Sequence, residues 1–167
     1  MIQIEYLPIV LTGIGIIVSI LYYAGVLRNA NKTREMQLFM QLYNILHTPE
    51  SLQYFIELMN LKVDENEYRQ KYDSYVNPEH FGKRASLWYT YNSIGEMLRL
   101  KMVDPDLLHR LNVDTNVVML WENWEHIIKM NRERENMPDL WDGFEYLYTE
   151  MKILRKNMNY PDITYNP

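Results

Sequence analysis

The sequence contains no cysteine. Disulfides, thiolate nucleophiles and cysteine-held metals are excluded together. Glycine is scarce too, with 6 in 167 residues, and Gly13, Gly15 and Gly25 fall in one apolar stretch. Gly82, Gly95 and Gly143 stand singly, so no glycine-rich loop exists to cradle a phosphate. Basic side chains are missing from the first 27 residues: all 17 Lys and Arg follow Leu27, and the one earlier charge is Glu5. The formal net charge is −5, and −4 once Glu5 is set aside. That balance supplies no basic face, so nucleic acid is not an expected partner. The length suits one domain with a real core.

What is present begins with an uncharged run, LPIVLTGIGIIVSILYYAGVL (7–27). As a helix it would be about 31 Å long, close to the roughly 30 Å of a bilayer's hydrocarbon core. Tyr6 stands at one end and Tyr22 with Tyr23 near the other, the headgroup level that Tyr prefers. A cleaved signal peptide would need a basic leader and a shorter apolar run. Residues 1–27 are therefore expected to be a transmembrane anchor in the cell membrane. Arg28, Lys32 and Arg34 flank only its C-terminal end. The positive-inside rule then puts the N-terminus outside and the rest in the cytoplasm. Thr12, Gly15 and Ser19 form a small face on which another membrane helix could approach closely.

Between Val26 and His47 there is neither Gly nor Pro, and the apolar residues narrow to the stripe Met36, Phe39, Met40, Tyr43, Leu46. That spacing predicts one long helix, apolar all round and then amphipathic. Thr48-Pro49, Asn77-Pro78 and Asp104-Pro105 each pair a capping side chain with Pro at the first helical position. They open helices with inward Leu52, Phe55, Ile56 and Met59; with Phe81, Ala85, Trp88, Tyr91, Ile94, Gly95 and Leu98; and with Leu107, Leu108 and Leu111. A short helix bears Tyr68, Tyr72 and Tyr75. Asp114 is expected to cap the next, with Val117, Trp121, Trp124 and Ile128 inward. Pro138 is expected to start the last, carrying Trp141, Phe144, Leu147, Tyr148, Met151 and Leu154. No segment alternates with period two. The expected fold is all-α: a membrane helix continuing into a cytosolic bundle of about four long and two short helices over 28–157, then an extended tail, 158–167.

Chemistry is hard to find. His47, His80, His109 and His126 sit on four different expected elements, without H-E-x-x-H or E-x-x-H spacing. Glu122 and His126 share a surface face, too few for a metal site. No serine has a nucleophile-elbow context, and Gly82-Lys83 lacks the rest of a phosphate loop. No catalytic residue, cofactor or metal is assigned, and the expectation leans to a protein that is not an enzyme. Polar residues do fall on or beside inward faces: Asn92, Glu96 and Arg99 on one helix, Glu125 and Arg132 on another. An inward carboxylate must be paired or protonated. These five are expected to form a structural polar network, the alternative being a ligand pocket.

NKTREMQLFMQLYN (31–44), LWENWEHIIKMNRE (120–133) and LWDGFEYLYTEMK (140–152) resemble an uncharacterised family of archaeal and bacterial membrane-anchored proteins. The resemblance covers about residues 28–157 and implies one N-terminal membrane helix with a cytosolic helical domain. It carries no reaction and no catalytic residues, and the tail lies outside it.

Two functions are expected to compete. One is an accessory or scaffold subunit, bound to a membrane protein partner or to itself. Its contacts would be the small face in the lipid bilayer and tail residues Tyr160, Ile163 and Tyr165. The other is a small-ligand sensor or enzyme, with a pocket among Trp88, Asn92, Glu96, Trp121, Glu125 and Arg132.

Overall fold

A computed structural model describes residues 6–161 and 163. Its described residues are helical, with no strand among them. The chain divides into two compact units, Met1–Asn44 and Ile45–Pro167.

The first unit is built on α1, Leu7–Leu46, an unbroken helix of 40 residues and about 60 Å. It runs without interruption across Arg28–Glu35, as its lack of internal breakers predicts. Ile9, Leu11, Ile14, Ile16, Ile17, Ile20 and Leu21 are exposed around its whole circumference. It is the one described helix long and apolar enough to cross a membrane. The Thr12 and Ser19 hydroxyls donate to the carbonyls of Pro8 and Gly15, both at 2.8 Å, so neither brings an unsatisfied donor to that surface. Farther along, the expected inward stripe separates into two faces. Leu42 and Leu46 are buried, whereas Met36 is 62% and Met40 47% exposed, and Tyr43 also faces outward.

The second unit contains α2 (Pro49–Asn60), α3 (Glu65–Glu67), a π turn (Tyr68–Tyr72), α4 (Pro78–Arg99), α5 (Pro105–Arg110), α6 (Val113–Glu135) and α7 (Asp142–Asn157). The three helix starts with Pro form as their sequences dictate. Thr48 Oγ1 accepts from Ser51 N at 3.0 Å, Asn77 Oδ1 from His80 N at 3.1 Å, and Asp104 Oδ1 from Asp106 N at 2.8 Å. The other two starts differ from expectation. Asn112, with φ 55°, begins α6, so Asp114 falls inside its first turn and does not cap it. Residues 138–140 form a turn, and α7 starts only after Trp141.

The core lies where α4, α6 and α7 meet. Trp88, Trp121, Trp124, Phe144, Ile127, Ile128 and Leu147 are almost wholly buried. Trp88 meets Trp124 edge-on at 5.6 Å between ring centres, and Trp121 meets Phe144 likewise at 5.0 Å. Each such pair adds about 0.5–1.5 kcal/mol beyond the area it buries. In α2 the expected inward Leu52 and Ile56 are exposed and Leu58 and Met59 are buried. This helix docks by its C-terminal turn, where the Leu58 carbonyl accepts from Trp124 Nε1 at 3.1 Å and Asn123 Nδ2 at 2.9 Å. Helix ends need such partners for their free carbonyls. The tyrosine helix ends with the π turn at Tyr72; Tyr68 is buried on it, and Tyr75, in the turn that follows, is 86% exposed.

The α4–α7 crossing is the tightest contact. A Cβ on Gly95 would lie 1.8 Å from the Gly143 carbonyl oxygen, and one on Gly143 would lie 2.5 Å from the Asn92 carbonyl oxygen. Only backbone without a side chain fits there. Gly95→Ala should therefore destabilise the domain by about 1–3 kcal/mol or more, although Ala favours an isolated helix. Urea unfolding of the full chain in detergent checks this, with Gly82→Ala, which meets nothing within 4 Å and should hold or raise stability, as the control.

Candidate functional site

The expected polar residues are placed at two separate points. Asn92, Glu96 and Arg99 gather at the start of α7. Trp141, the residue before α7, offers no capping side chain, and Asn92 Oδ1 accepts from Phe144 N at 3.2 Å in its place. Arg99 donates to Glu96 at 3.0 Å and to Asp142 at 2.7 Å, with its guanidinium 4.8 Å from the Tyr146 ring. Glu125 and Arg132 do not pair. Two helical turns separate them, about 10 Å along the axis, and each has a nearer partner. Glu125 takes Lys129 at 2.6 Å. Arg132 donates to Glu145 of α7 at 2.6 Å and to the Leu140 carbonyl at 2.8 Å. Glu122 and His126 also part: Glu122 accepts from Lys152 at 3.1 Å, and His126 Nε2 lies 2.9 Å from the Val63 carbonyl oxygen. Trp88 and Trp121 are core residues. Each of the five polar side chains thus has a partner within the chain.

A different arrangement stands out around the π turn. Arg84 on α4 is fully buried, with no carboxylate bonded to it. Its Nη2 donates to the Tyr68 hydroxyl at 2.8 Å and the Tyr72 carbonyl at 3.1 Å. Its Nη1 lies 3.1 Å from His80 Nδ1. The rings of Tyr68, Phe81, Trp88 and Trp124 surround the guanidinium at 4.8–5.5 Å. Burial lowers the Arg84 pKa, a shift that the Tyr68 hydroxyl and Asp73 oppose. Asp73, at the end of the π turn, is buried and paired with Arg134. Burial works to raise its carboxyl, but hydrogen bonds from Arg134 and the Tyr75 N–H outweigh that and hold it below the usual carboxylate value.

Beside this cluster is a cavity of about 260 Å³, lined in part by Tyr68, Phe81, Tyr89, Asn131, Arg134 and Trp141. Asn131 is 4% and Trp141 6% exposed, and neither Asn131 Oδ1 nor Trp141 Nε1 has a hydrogen-bond partner. Trp141 also holds φ 57°, a left-handed conformation that bulky residues rarely adopt. None of this was visible as a motif. Arg84 lies next to Ala85 on the inward stripe, and a basic residue at such a position was the available signal.

At the other end of the unit, Asp114 Oδ2 meets Arg155 Nη1 at 2.9 Å and His109 Nδ1 at 3.0 Å. Tyr160 stacks under Arg155, 5.3 Å from the guanidinium, and Arg155 Nη2 donates to the Pro161 carbonyl at 3.3 Å. The start of the tail is thus held by its own domain. Ile163 is half-buried, and Tyr165 lies outside the described residues. Among the described residues no three His, Asp or Glu side chains group as a metal ion would require.

The family described as a domain of unknown function, DUF4760, matches residues 9–151. The chain belongs to the DUF4760 family. The DUF4760 match begins inside the apolar run of α1 and ends in α7, taking in both compact units. No curated protein and no solved structure matches the chain.

His80 gives the cluster a pH signature. Burial, then the charges of Arg84 and Lys83, lower its pKa below 6.5, against a smaller opposing pull from Glu57. The fold therefore keeps it neutral where the unfolded chain would take up a proton. The stability it contributes is present above about pH 6.5 and is lost as pH falls through the lower folded value. Thermal unfolding should show the melting temperature falling between pH 7 and pH 5. His80→Gln, which can still accept from Arg84, should flatten that part of the profile.

Proposed function

We propose that this DUF4760 protein is a non-enzymatic, membrane-anchored interaction protein, an accessory or scaffold subunit of a membrane protein complex. The observation that carries this reading is α1, in which a bilayer-length apolar segment continues without a break into a polar helix. The family match supports it by including the apolar run with the helical unit. The basic flank Arg28, Lys32, Arg34 sets the helical unit in the cytoplasm and the N-terminus outside the cell membrane. The bonding of Asn92, Glu96, Arg99, Glu125 and Arg132 within the chain also favours it, because those groups serve the fold. Partners would meet the chain through lipid, at Thr12, Gly15 and Ser19, which are exposed. The tail, with Tyr160, Ile163 and Tyr165, is a second meeting point. Alkaline carbonate should leave the protein in the membrane fraction, and protease added outside intact cells should spare the helical unit. Changing Gly15 and Ser19 to Leu should move the mildly solubilised protein to a smaller size on native gels. A wild-type protein that runs as a monomer from native membranes overturns the reading.

A second reading, a small-ligand sensor, is favoured by the cavity next to Arg84, with its unpartnered Asn131 Oδ1 and Trp141 Nε1. Its volume is near the lower end for small-molecule sites. A thermal-shift screen of planar aromatic metabolites against the full chain tests it. A stabilising compound whose effect is lost in Trp141→Phe, which removes only the indole N–H as a donor, supports the sensor. A screen with no such compound leaves the cavity to packing.

A further inference from the structure

The exposed face of α1 carries a heptad pattern that crosses the membrane boundary. Thr12, Gly15, Ser19, Tyr22, Val26, Asn29, Thr33, Met36 and Met40 follow one another at alternating spacings of three and four. All nine are exposed. Such spacing over four heptads keeps one seam facing one direction along a slightly supercoiled helix. Within the apolar run nearly any face is hydrophobic, but this one holds the small residues, Thr12, Gly15 and Ser19, that allow backbones to approach. Beyond the run, where water rather than lipid surrounds the helix, the same face holds Met36 and Met40. Apolar exposure there needs a cover that lipid cannot supply.

We propose that this face is the seam of a parallel, two-stranded coiled coil between two copies of the chain, running from Thr12 to Met40. The proposal deepens the membrane-anchor reading and rests on it, because a shared bilayer and a common orientation make two α1 helices parallel. The charges fit a second copy. No seam position is charged, and Arg28, Arg34 and Glu35 all fall on the outer side of the heptad. The one flanking charge, Lys32, would lie opposite Gln37 of the other copy, so no like charges meet. Three of the four seam hydroxyls do not compete for partners in lipid or across the seam: Thr12, Ser19 and Thr33 each donate to the carbonyl four residues back, at 2.8, 2.8 and 3.0 Å. Asn29 is the single amide of the seam, and a lone seam amide bonded to its own copy fixes register. The seam would be about 42 Å long. With its flanks it offers an area on the order of the 800 Å² that a stable interface takes from each partner.

The absence of native cysteine makes a direct test possible. Single cysteines are placed in the full chain at Asn29, Thr33, Met36 and Met40, and at the outer positions Asn31, Arg34 and Glu35. Native membranes are oxidised, and one portion of each is first washed with alkaline carbonate. A product of twice the 20.3 kDa chain should form several-fold more strongly at the four seam positions than at the three outer ones. Crosslinking without that period, or a product of another mass, or none from washed membranes that retain the protein, overturns the coiled coil and leaves the anchor standing. Release of the protein by carbonate overturns the anchor, and with it a seam that runs through lipid from Thr12.

Discussion

Two glycines meet where α4 crosses α7, and much of the helical unit depends on that contact. Because neither Gly95 nor Gly143 has a side chain, the two backbones touch. The close approach brings the Asn92 side chain to the Phe144 N–H, which it shares with the Trp141 carbonyl, and Arg99 to Asp142. It also sets Trp88 against Trp141, with ring centres 4.7 Å apart. The polar groups flanking the inward face of α4 thus serve as the cap and charge partners of α7. They add side-chain partners to the start of α7, where the Asp139 and Trp141 carbonyls already accept from Asp142, Phe144 and Glu145. A ligand at this point would have to displace bonds that hold two helices together.

The parts of the fold written in local chemistry were legible. Pro after a capping side chain located α2, α4 and α5, and the 3.6-residue period of Trp88, Tyr91, Gly95 and Leu98 identified the inward face of α4. Asp114 and Pro138 misled because a left-handed residue, Asn112 or Trp141, can begin a helix with no capping side chain. Such a residue leaves little trace in composition. The tyrosine helix misled because it ends at Tyr72, so Tyr75 falls in the turn that follows and faces outward. Glu125 and Arg132 were read as neighbours on one inward face, whereas Glu125 pairs with exposed Lys129 and Arg132 with Glu145 of α7, partners that sequence spacing could not reveal. Arg84 escaped for a deeper reason. Basic residues are almost never fully buried without a carboxylate. This one is held by neutral acceptors and four aromatic rings drawn from three parts of the chain.

That arrangement bears on what the helical unit can do. The buried guanidinium is bound mainly to neutral groups, and Arg84 Nε has no partner. The neighbouring Asn131 and Trp141 carry unpartnered atoms as well, and Trp141 sits in a sparsely populated backbone conformation. Orphaned polar atoms and local strain in one place indicate a region that the fold tolerates rather than one it was optimised to close. The α4–α7 crossing is the opposite, with its capping and charged groups engaged. Within one small unit, backbone contact marks the glycine crossing, and unpartnered polar atoms border the cavity beside the π turn.

The same separation of roles runs along α1. A single apolar stripe, read from sequence, merged Met36 and Met40 with Leu46, although the folded chain buries Leu46 and exposes the two methionines. A helix that is apolar on two sides needs two covers, and periodicity alone cannot tell one broad face from two narrow ones. What resolves them is phase. Met36 and Met40 stand in register with Gly15 and Ser19, three heptads away in the apolar run, while Leu42 and Leu46 do not. Register kept from the apolar run into the polar segment has no use for a helix that merely tethers a domain, since any greasy sequence would hold it in lipid. It has a use if that face of α1 is read by another helix along its length.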